Sequence, residues 1–454
     1  MNISIKAGIL PVALLNTVAM TAANDSIVWK RQVYSTGHVR FRQEVLASPA
    51  MRNYLHTPSI SEFSVYATTE PAAAARIPQL GRGGKQFGME ASSFQQLGAN
   101  SVVWGKASYQ NGKKYDVTWN ETSDFLLLYP YVMGDAKGGD QNYESYRLDG
   151  GYSTRHGKTC YGVDLGYRTL SEYRNRDPRP NNTVADLYAQ GGIGLNIWGS
   201  YSVALTATAG KYKQTNELAF YNELGTQMVY HLTGIGNDFT RFSGQGKNCF
   251  YKGYSIGAEI SMASKETTGW SASAGYLFTR KEKVLTDLNR LPLNRLEVNS
   301  LDGAVGYNNE DYGVRLTGNV AQRKGIDNLF GDATGNIYPQ IGSRKQYDGK
   351  IEKIKAEGFW NVNWTEKTDV NIEPEIACAS FKNSHHTSGN LLKSSDLTMG
   401  GNGKHRSCQR KEHGVCKGKD KAQRELGGKT GHIQLSERIA RCHPAEHKRI
   451  YGWR

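Results

Sequence analysis

The stretch that decides the fold reads YESYRLDGGYSTR (143–155), HGK (156–158) and TCYGVDLGYRTLSEY (159–173). Apolar and polar residues alternate along both long segments, which is the pattern of β-strands with one apolar and one polar face. In the second segment, Tyr161 and Leu165 fall on the face opposite to Asp164 and Arg168. The HGK tripeptide has the length and the glycine of a tight hairpin turn. The two segments are therefore predicted to form an antiparallel hairpin of long strands.

Further segments of the same kind follow, and the connections between them alternate in length. The short turns are LGANS (97–101), HGK (156–158), GS (199–200), SKETT (264–268), NNE (308–310) and TEKT (365–368). The long connections are 70–84, 111–142, 172–184, 213–249, 281–294 and 323–346. Transmembrane β-barrels show this alternation, since lipid forbids unpaired strand edges and only closure of the sheet removes them. The pattern predicts an all-β fold, an antiparallel transmembrane β-barrel with its short turns on the periplasmic side.

The number of candidate strands is odd. The segments that qualify are 60–69, 85–95, 101–110, 143–155, 159–171, 185–198, 200–212, 250–263, 269–280, 295–308, 311–322, 347–364 and 369–382. A bacterial single-chain barrel expects an even number of strands, with both termini in the periplasm. We therefore expect about 14 strands in the intact barrel, with 16 as the other candidate number. At least one last strand is expected to be missing from this chain.

Composition is compatible with a barrel but does not establish it. Of 454 residues, 38% are hydrophobic, and the mean hydropathy is -0.58. Beyond the N-terminus no segment reaches the roughly 18 consecutive apolar residues of a membrane helix, and a barrel needs none, since only every second strand residue faces lipid. The 26 Tyr, 8 Trp and 51 Gly suit membrane interfaces and curved strands. A soluble β-sandwich or lipocalin-like protein would share this composition, but strand length favours the membrane protein.

The chain begins with the pattern of a secretory signal peptide. Lys6 precedes an apolar run, and small residues follow before Asn24, so residues 1–23 are predicted to be a cleaved signal. Residues 24–58 are mixed and basic, and we interpret them as a periplasmic lead-in or a partial plug. Residues 39–46 are predicted to form one or two helical turns before Pro49. The barrel is expected to occupy residues 59–382.

Residues 383–454 read differently from everything before them. Aromatic residues nearly vanish, basic residues accumulate, and the alternation stops. A disordered basic tail that binds nucleic acid is one interpretation, but an exported barrel meets no nucleic acid. We interpret the tail as aberrant, either disordered or translated out of frame after a break near residues 383–389. Its cysteines and histidines lack the short fixed spacing of a zinc site, so no metal is predicted; they are Cys408, His413, Cys416, His432, Cys442 and His443.

Strand parity selects a set of charged residues for the inside of the barrel. Such charges would cost roughly 2 to 4 kcal/mol each for basic residues facing lipid at the midplane. They indicate either a hydrated path with a mixed-charge filter or a lumen plugged by ion pairs and loops. The candidate lumen-lining residues are Glu90, Arg147, Asp149, Asp164, Arg168, Glu172, Glu259, Arg315, Lys353, Lys355, Glu357, Glu373 and Glu375.

Catalytic and cofactor motifs are not found in the sequence. The histidines before the tail are not accompanied by a serine motif such as G-x-S-x-G, and no Walker loop or G-x-G-x-x-G leads from a strand into a helix. The protein is therefore not predicted to be an enzyme, and no catalytic residue, cofactor or metal ligand is assigned.

Two runs carry a resemblance to a known family. These are VVWGKASYQNGKKYDVTWNETSDFLLLYPYVMGD (102–135) and YESYRLDGGYSTRHGKTCYGVDLGYRTLSEYRNRDPRPNNT (143–183). They resemble the uncharacterised outer-membrane β-barrel family of Bacteroidota, and the similarity covers about Trp29 to Lys382. The most specific pieces are WGKASYQNGK, WNETSDF and YRNRDPRP. The resemblance implies an outer-membrane barrel of a Gram-negative envelope and no particular substrate. The tail departs from the family, whose barrels close with a strand ending in an aromatic residue.

The sequence thus predicts an outer-membrane barrel that passes or binds a small solute. Its expected partners are outer-membrane lipid, the barrel-assembly machinery and a small solute, with no nucleic acid. The alternatives are a non-conducting surface or interaction barrel and a degenerate, truncated copy. Three outer stretches, 119–132, 173–180 and 213–249, mix aromatic and polar residues. They either form a platform for a ligand or pack over the barrel mouth.

Overall fold

A computed structural model describes residues 37–55, 57–70, 77–222, 228–244, 248–335, 337–365 and 368–407, with the short pieces 409–410, 416–417 and 431–433. The predicted signal peptide lies outside the described residues, as does most of the cysteine and histidine cluster of the tail. Within the described part of the chain, no helix is long and apolar enough to cross a membrane.

One antiparallel sheet dominates the fold, and its long strands follow one another in chain order. They are β1 (Ile60–Glu70), β2 (Gly83–Gln96), β3 (Ser101–Val117), β4 (Gly139–His156), β5 (Thr159–Tyr173), β6 (Arg179–Ile197), β7 (Tyr201–Ala219), β8 (Cys249–Ser264), β9 (Gly269–Leu285), β10 (Leu291–Asn308), β11 (Tyr312–Phe330), β12 (Gln340–Thr365), β13 (Thr368–His385) and β14 (Leu391–Ser407). The sheet thus has fourteen long strands, the number expected of the intact barrel, and a short fifteenth strand, Gly431–Ile433, pairs with β14. Among the described residues, no ladder joins β1 to β14, so the sheet is not closed.

The two faces of the sheet differ as the alternation predicts. We call the face that contacts residues 37–55 the inner face, because Ser153 and Thr206 on it hydrogen-bond to that segment. The opposite, outer face exposes a continuous set of apolar side chains on neighbouring strands, which include Leu148, Leu165, Leu187, Ile193, Leu205, Ile256, Leu301 and Leu316. A soluble protein would not expose a band of this kind.

Several strands are longer than predicted, always at the end that carries the long connections. The predicted strand 101–110 extends as β3 to Val117, and the predicted connection 172–184 shrinks to the residues between Tyr173 and Arg179. Beyond the apolar part of the outer face, the outward residues of these strands are no longer apolar. The alternation of apolar and polar residues that predicts a strand therefore ends there. The backbone ladder continues, because its hydrogen bonds do not require apolar side chains.

The last strand, β14, lies in the stretch that the sequence analysis assigned to the aberrant tail. β13 continues to His385, and β14 pairs with β13 along its whole length. The sheet therefore does not end at Lys382, and the strand that was expected to be missing is present. The pattern did not reveal β14 because few of its side chains are apolar, with Leu397 and Met399 the main ones on its outer face.

Residues 37–55 lie on the inner face at the short-turn end, and we call them the plug. Helix α1 (Gly37–Val45) matches the predicted helical turns, and a 3-10 helix (Pro49–Tyr54) follows it. The plug buries its apolar side chains against the ends of the strands. This core consists of Phe41, Val45, Leu46, Ala50, Met51, Tyr54 and Leu55 with the wall residues Phe94, Val102, Cys160, Ala204, Ala263 and Phe359.

The long-connection end of the inner face is also covered, by residues 118–138 and 228–244, which we call the lid. The lid contains a single helical turn, Phe125–Leu128, and a small sheet of Met133–Gly134, Tyr230–Gly234 and Asn237–Asp238. Its core includes Phe125, Leu128, Val132, Met133, Val229 and Phe242, packed on wall residues such as Leu170, Val184, Tyr212, Tyr251 and Leu285. The outer stretch 119–132 thus packs into the barrel mouth.

Candidate functional site

The plug buries one arginine without a counter-charge. Arg42 is 3% exposed, and its guanidinium donates to the carbonyl of Ser264 at 3.1 Å. Among the described residues no carboxylate pairs with it, and burial lowers the pKa of Arg42 to about 10. A buried cation that lacks a carboxylate partner keeps much of its desolvation penalty. This position therefore weakens the attachment of the plug to the wall.

Neutral hydrogen bonds hold the second half of the plug. The hydroxyls of Ser48 and Thr206 lie 2.8 Å apart, and the Asn53 side chain donates to the hydroxyl of Ser153 at 2.9 Å. The hydroxyl of Tyr54 donates to Asn196 at 2.5 Å. Each such bond contributes about 0.5 to 1.5 kcal/mol net. They fix the position of the plug without making it permanent.

Two glycines form the seat of the 3-10 helix. A Cβ atom at Gly162 would lie 2.2 Å from the backbone of Pro49, and one at Gly192 would lie 3.2 Å from the Cβ of Ala50. Both glycines are on the inner face of neighbouring strands. Any side chain at Gly162 would push the plug away from the wall.

The ion pairs of the plug are partly open to solvent. Arg40 pairs with Glu373, and Glu44 pairs with Arg315 at 2.9 Å. The plug partners are 41% and 51% exposed, and exposed pairs contribute only about 0 to 1 kcal/mol. Burial and the neighbouring Glu357 raise the pKa of Glu44. The two pairs tie α1 to β11 and β13 only weakly.

The lid, in contrast, is held by a buried charge cluster. Arg174 is 1% exposed and donates to Asp135 at 2.7 Å, to Glu121 at 3.1 Å and to the carbonyl of Pro178 at 2.7 Å. Both carboxylates are completely buried. Burial, with Asp135 beside it, raises the pKa of Glu121 well above its usual range. One guanidinium thus holds two carboxyl groups from opposite ends of the same loop.

Further side chains of the wall bind the backbone of the lid. Lys283 on β9 donates to the carbonyl of Val132 at 3.0 Å, and Arg323 on β11 donates to the carbonyl of Leu126 at 2.9 Å. Arg168 on β5 pairs with Asp124, while Asn182 and Asn216 both donate to the carbonyl of Glu121 at 2.9 Å. The lid is therefore tied to at least five different strands.

The structure places all thirteen candidate lumen residues on the inner face but does not gather them into one site. Most of them are in ion pairs: Glu90 with Lys106, Arg147 with Asp149, Arg168 with Asp124, Glu172 with Lys114, Arg315 with Glu44, Lys355 with Glu357 and Glu375, and Glu373 with Arg40. Asp164 approaches Arg52 of the plug and the ring of Trp104. Within the described chain, Glu259 and Lys353 have no ion pair. Whether these residues line a conducting path stays a prediction.

Sequence reasoning missed the residues that hold the plug and the lid. Arg42, Ser48 and Glu121 carry no recognisable pattern, because their partners are more than fifty residues away along the chain. Alternation puts Arg174 on the polar face of its segment with Asp164 and Arg168, but it gives no indication of the carboxylates that Arg174 binds. Only the glycines at the inward positions 162 and 192 indicated that another segment of the backbone packs closely against the wall. In the described part of the chain, no cluster of His, Cys, Asp and Glu could hold a metal ion.

Sequence comparison assigns the chain to a family. The family described as "Family of unknown function (DUF6850)" matches residues 49–414. The chain belongs to this family. The match begins at the 3-10 helix of the plug and runs past the end of β14, so the DUF6850 region contains all fourteen long strands. It also continues beyond residues 383–389, and neither the sheet nor the match supports a break in the reading frame there. No curated protein matches the sequence.

Solved structures that are similar to this chain include several outer-membrane proteins. The ferric preacinetobactin receptor BauA from Acinetobacter baumannii has 8% identity, a TM-score of 0.35 and coverage of 79% of this chain and 75% of its own. The toluene transporter TodX from Pseudomonas putida has 9% identity, a TM-score of 0.31 and coverage of 75% and 91%. CdiB from Escherichia coli has 12% identity, a TM-score of 0.34 and coverage of 84% and 72%. The TM-scores are too low for the functions of these proteins to be transferred.

Proposed function

We propose that this protein is an outer-membrane β-barrel that passes a small solute and is closed at its short-turn end by a displaceable plug. The plug carries the proposal, because it crosses the inner face. It reaches from Glu373 on β13, which binds Arg40, to Trp104 on β3, whose ring lies 4.6 Å from the Arg52 guanidinium. A segment that spans the interior in this way closes any path through it.

The outer face supports the proposed membrane location. Exposed apolar side chains cover neighbouring strands, while the inner face carries the charged residues. An apolar outer face is stable in contact with lipid chains and unfavourable in contact with water. We propose that the sheet closes in the outer membrane after export and insertion by the barrel-assembly machinery.

On β7 and β8, the interior between plug and lid is lined by small side chains. Thr208 and Gly210 lie on the inner face of β7, and Ser255 and Gly257 lie beside them on β8. Barrels of about eight strands are filled by side chains, whereas those of 16 to 18 strands leave an aqueous channel. A closed barrel of fourteen strands with small residues at this level has room for a solute once the plug moves.

A disulfide lock tests whether the plug is the gate. The hydroxyls of Ser48 and Thr206 are 2.8 Å apart, so cysteines at both positions bring two sulfur atoms close to bonding distance, which is about 2.05 Å. The Ser48→Cys/Thr206→Cys variant is prepared in a Met51→Ala background, which weakens plug packing. We expect oxidation to stop release of arabinose from liposomes and dithiothreitol to restore it, because only the reduced plug can leave.

A second pair of hydroxyls provides the matched control. Ser101 and Thr154 are also 2.8 Å apart, but they join the wall strands β3 and β4. Oxidation of Ser101→Cys/Thr154→Cys in the same background should leave arabinose release unchanged. The described cysteines 160, 249 and 378 are free, so bond formation is verified by mass spectrometry. Release that continues through the oxidised plug lock would show that the plug is not the gate.

A non-conducting barrel is the second candidate, because lid and plug cover the inner face at both ends. In that case the barrel would serve as a scaffold or a surface for interactions. The same experiment separates the two functions. No arabinose release from the folded, reduced Met51→Ala barrel would favour the non-conducting barrel over the transporter.

A further inference from the structure

The outer face carries a strongly basic area at the long-connection end of five consecutive strands. We define the basic patch as Lys211 and Lys213 on β7, Lys252 on β8, Arg280 on β9, Arg295 on β10 and Lys324 on β11. Strand register brings these residues into two adjacent rows. One row contains Lys213, Lys252, Glu282 and Arg295, and the other contains Lys211, Tyr254, Arg280, Glu297 and Lys324. The patch is therefore continuous across the sheet.

The basic patch has an excess of positive charge. On β7 to β11 its six basic residues lie beside two acidic ones, Glu282 and Glu297, so its formal charge is +4. On β12, Asp348 lies opposite Lys324 but pairs with Lys345 at 2.6 Å. The acidic side chains already pair within the patch, Glu282 with Arg280 at 2.6 Å and Lys252 at 3.3 Å, and Glu297 with Arg295 at 3.3 Å. The three remaining lysines, 211, 213 and 324, are exposed and have no ion pair among the described residues. They are free to bind an anion.

The patch borders directly on the apolar band. On β7 to β9 the next row of the outer face consists of Ala209, Ile256 and Phe278, and Ile256 is 59% exposed. On β10 and β11 the same row continues with the polar residues Asn299 and Gln322. Tyr254, within the patch, is 44% exposed and packs against Phe278 with 6.1 Å between ring centroids. Apolar residues that give way to tyrosine and then to basic residues are typical of the boundary between lipid tails and headgroups.

The opposite sector of the sheet lacks this charge. On β4, β5 and β6, the outer residues just beyond the apolar band include Glu144, Thr169, Ser171 and Thr183. None of these four residues is basic, and one is acidic. The sector of β4 to β6 thus lacks the charge that the outer face carries on β7 to β11, whereas basic residues recur on β12 to β14 as Lys350, Lys382 and Lys393.

We propose that the basic patch binds the phosphate groups of a phosphorylated lipid in the membrane leaflet on the long-connection side. Lysine and arginine bind phosphate oxygens through charge-assisted hydrogen bonds, and the acyl chains of the same molecule cover Ile256 and Phe278. A free phosphate ion would contact only the charged rows. A phospholipid or a phosphorylated glycolipid would contact the charged rows with its phosphate groups and the apolar row with its acyl chains. The inference rests on the proposed membrane location but not on solute passage.

Native mass spectrometry of the detergent-solubilised full chain tests the proposal, with bisphosphorylated lipid A as the probe. The Lys211→Gln/Lys213→Gln/Lys324→Gln variant removes only the unpaired lysines. We expect the wild-type protein to retain lipid A and the variant to lose most of it. A Lys→Arg variant at the same three positions should retain the lipid, because it keeps the charge. Retention should also fall with ionic strength.

The control variant, Lys137→Gln/Lys158→Gln/Lys265→Gln, removes the same charge from one loop and two short turns outside the patch, and we expect it to bind lipid A like the wild type. Dephosphorylated lipid A should not be retained, and inorganic phosphate at matched ionic strength should not displace lipid A. Equal retention of the phosphorylated and dephosphorylated lipids would overturn the proposal, as would full retention by the triple Gln variant. Arabinose release is measured separately, so a failure of solute passage leaves the lipid result intact.

Discussion

The plug and the lid both cover the inner face, but they are attached in different ways. The lid is tied to at least five strands by buried charged and amide groups, with Arg174 at its centre. Like the lid, the plug buries an apolar core, but its polar attachments are neutral hydrogen bonds, exposed ion pairs and Arg42, which lacks a carboxylate partner among the described residues. The attachments of the plug can break and re-form in water, whereas those of the lid cannot be broken without leaving buried charge unpaired. This difference is the reason why we propose that the plug moves and the lid stays in place.

The largest effect is expected from Arg174→Ala. The substitution leaves Glu121 and Asp135 buried without their cation, and breaking a buried pair in this way costs about 3 to 5 kcal/mol. Amide hydrogen exchange of residues 118–138 should accelerate strongly, while exchange of the plug should not change. Arg179→Ala is the control, because Arg179 pairs with Asp177 in the same loop but is 37% exposed. Equal protection in both variants would contradict the assigned role of Arg174.

Two methionines allow the same truncation to be made in the plug and in the lid. Met51 and Met133 are both completely buried, and Met→Ala at such sites costs about 2 to 5 kcal/mol. Met51→Ala should increase arabinose release from liposomes, because it raises the population of displaced plug. Met133→Ala should lower the melting temperature without increasing release. If the two variants released arabinose equally, the plug would not be the moving part.

A smaller effect is expected from pH, acting on the lid. The raised pKa of Glu121 means that the folded lid holds a proton that the unfolded chain releases at lower pH. The resulting stabilisation is complete below the ordinary glutamate pKa and is lost as pH rises through the raised value. Exchange of residues 118–138, corrected for intrinsic rates, should therefore increase with pH. Glu121→Gln should remove this dependence, and Glu266→Gln, on a short turn, should keep it.

Most of the wall could be predicted from sequence, because lipid imposes a strict pattern on it. The apolar alternation of β5 located its outer and inner faces, and the same parity put residues as distant as Glu90 and Glu375 on the inner face. The prediction was wrong for β14 and too short for β3, since neither β14 nor the end of β3 has the apolar alternation on which it relied.

The sequence by itself determined the strand periodicity, the order of short and long connections and the inward position of the charges, because each of these depends on neighbouring residues alone. Only the tertiary structure decided what those charges do. Arg174 meets Glu121 and Asp135 across 53 and 39 positions of the chain, and Ser48 meets Thr206 across 158. Such pairs arise from the curvature of the wall and the paths of its loops, which no local pattern encodes. The different attachments of the lid and the plug are therefore a property of the folded molecule.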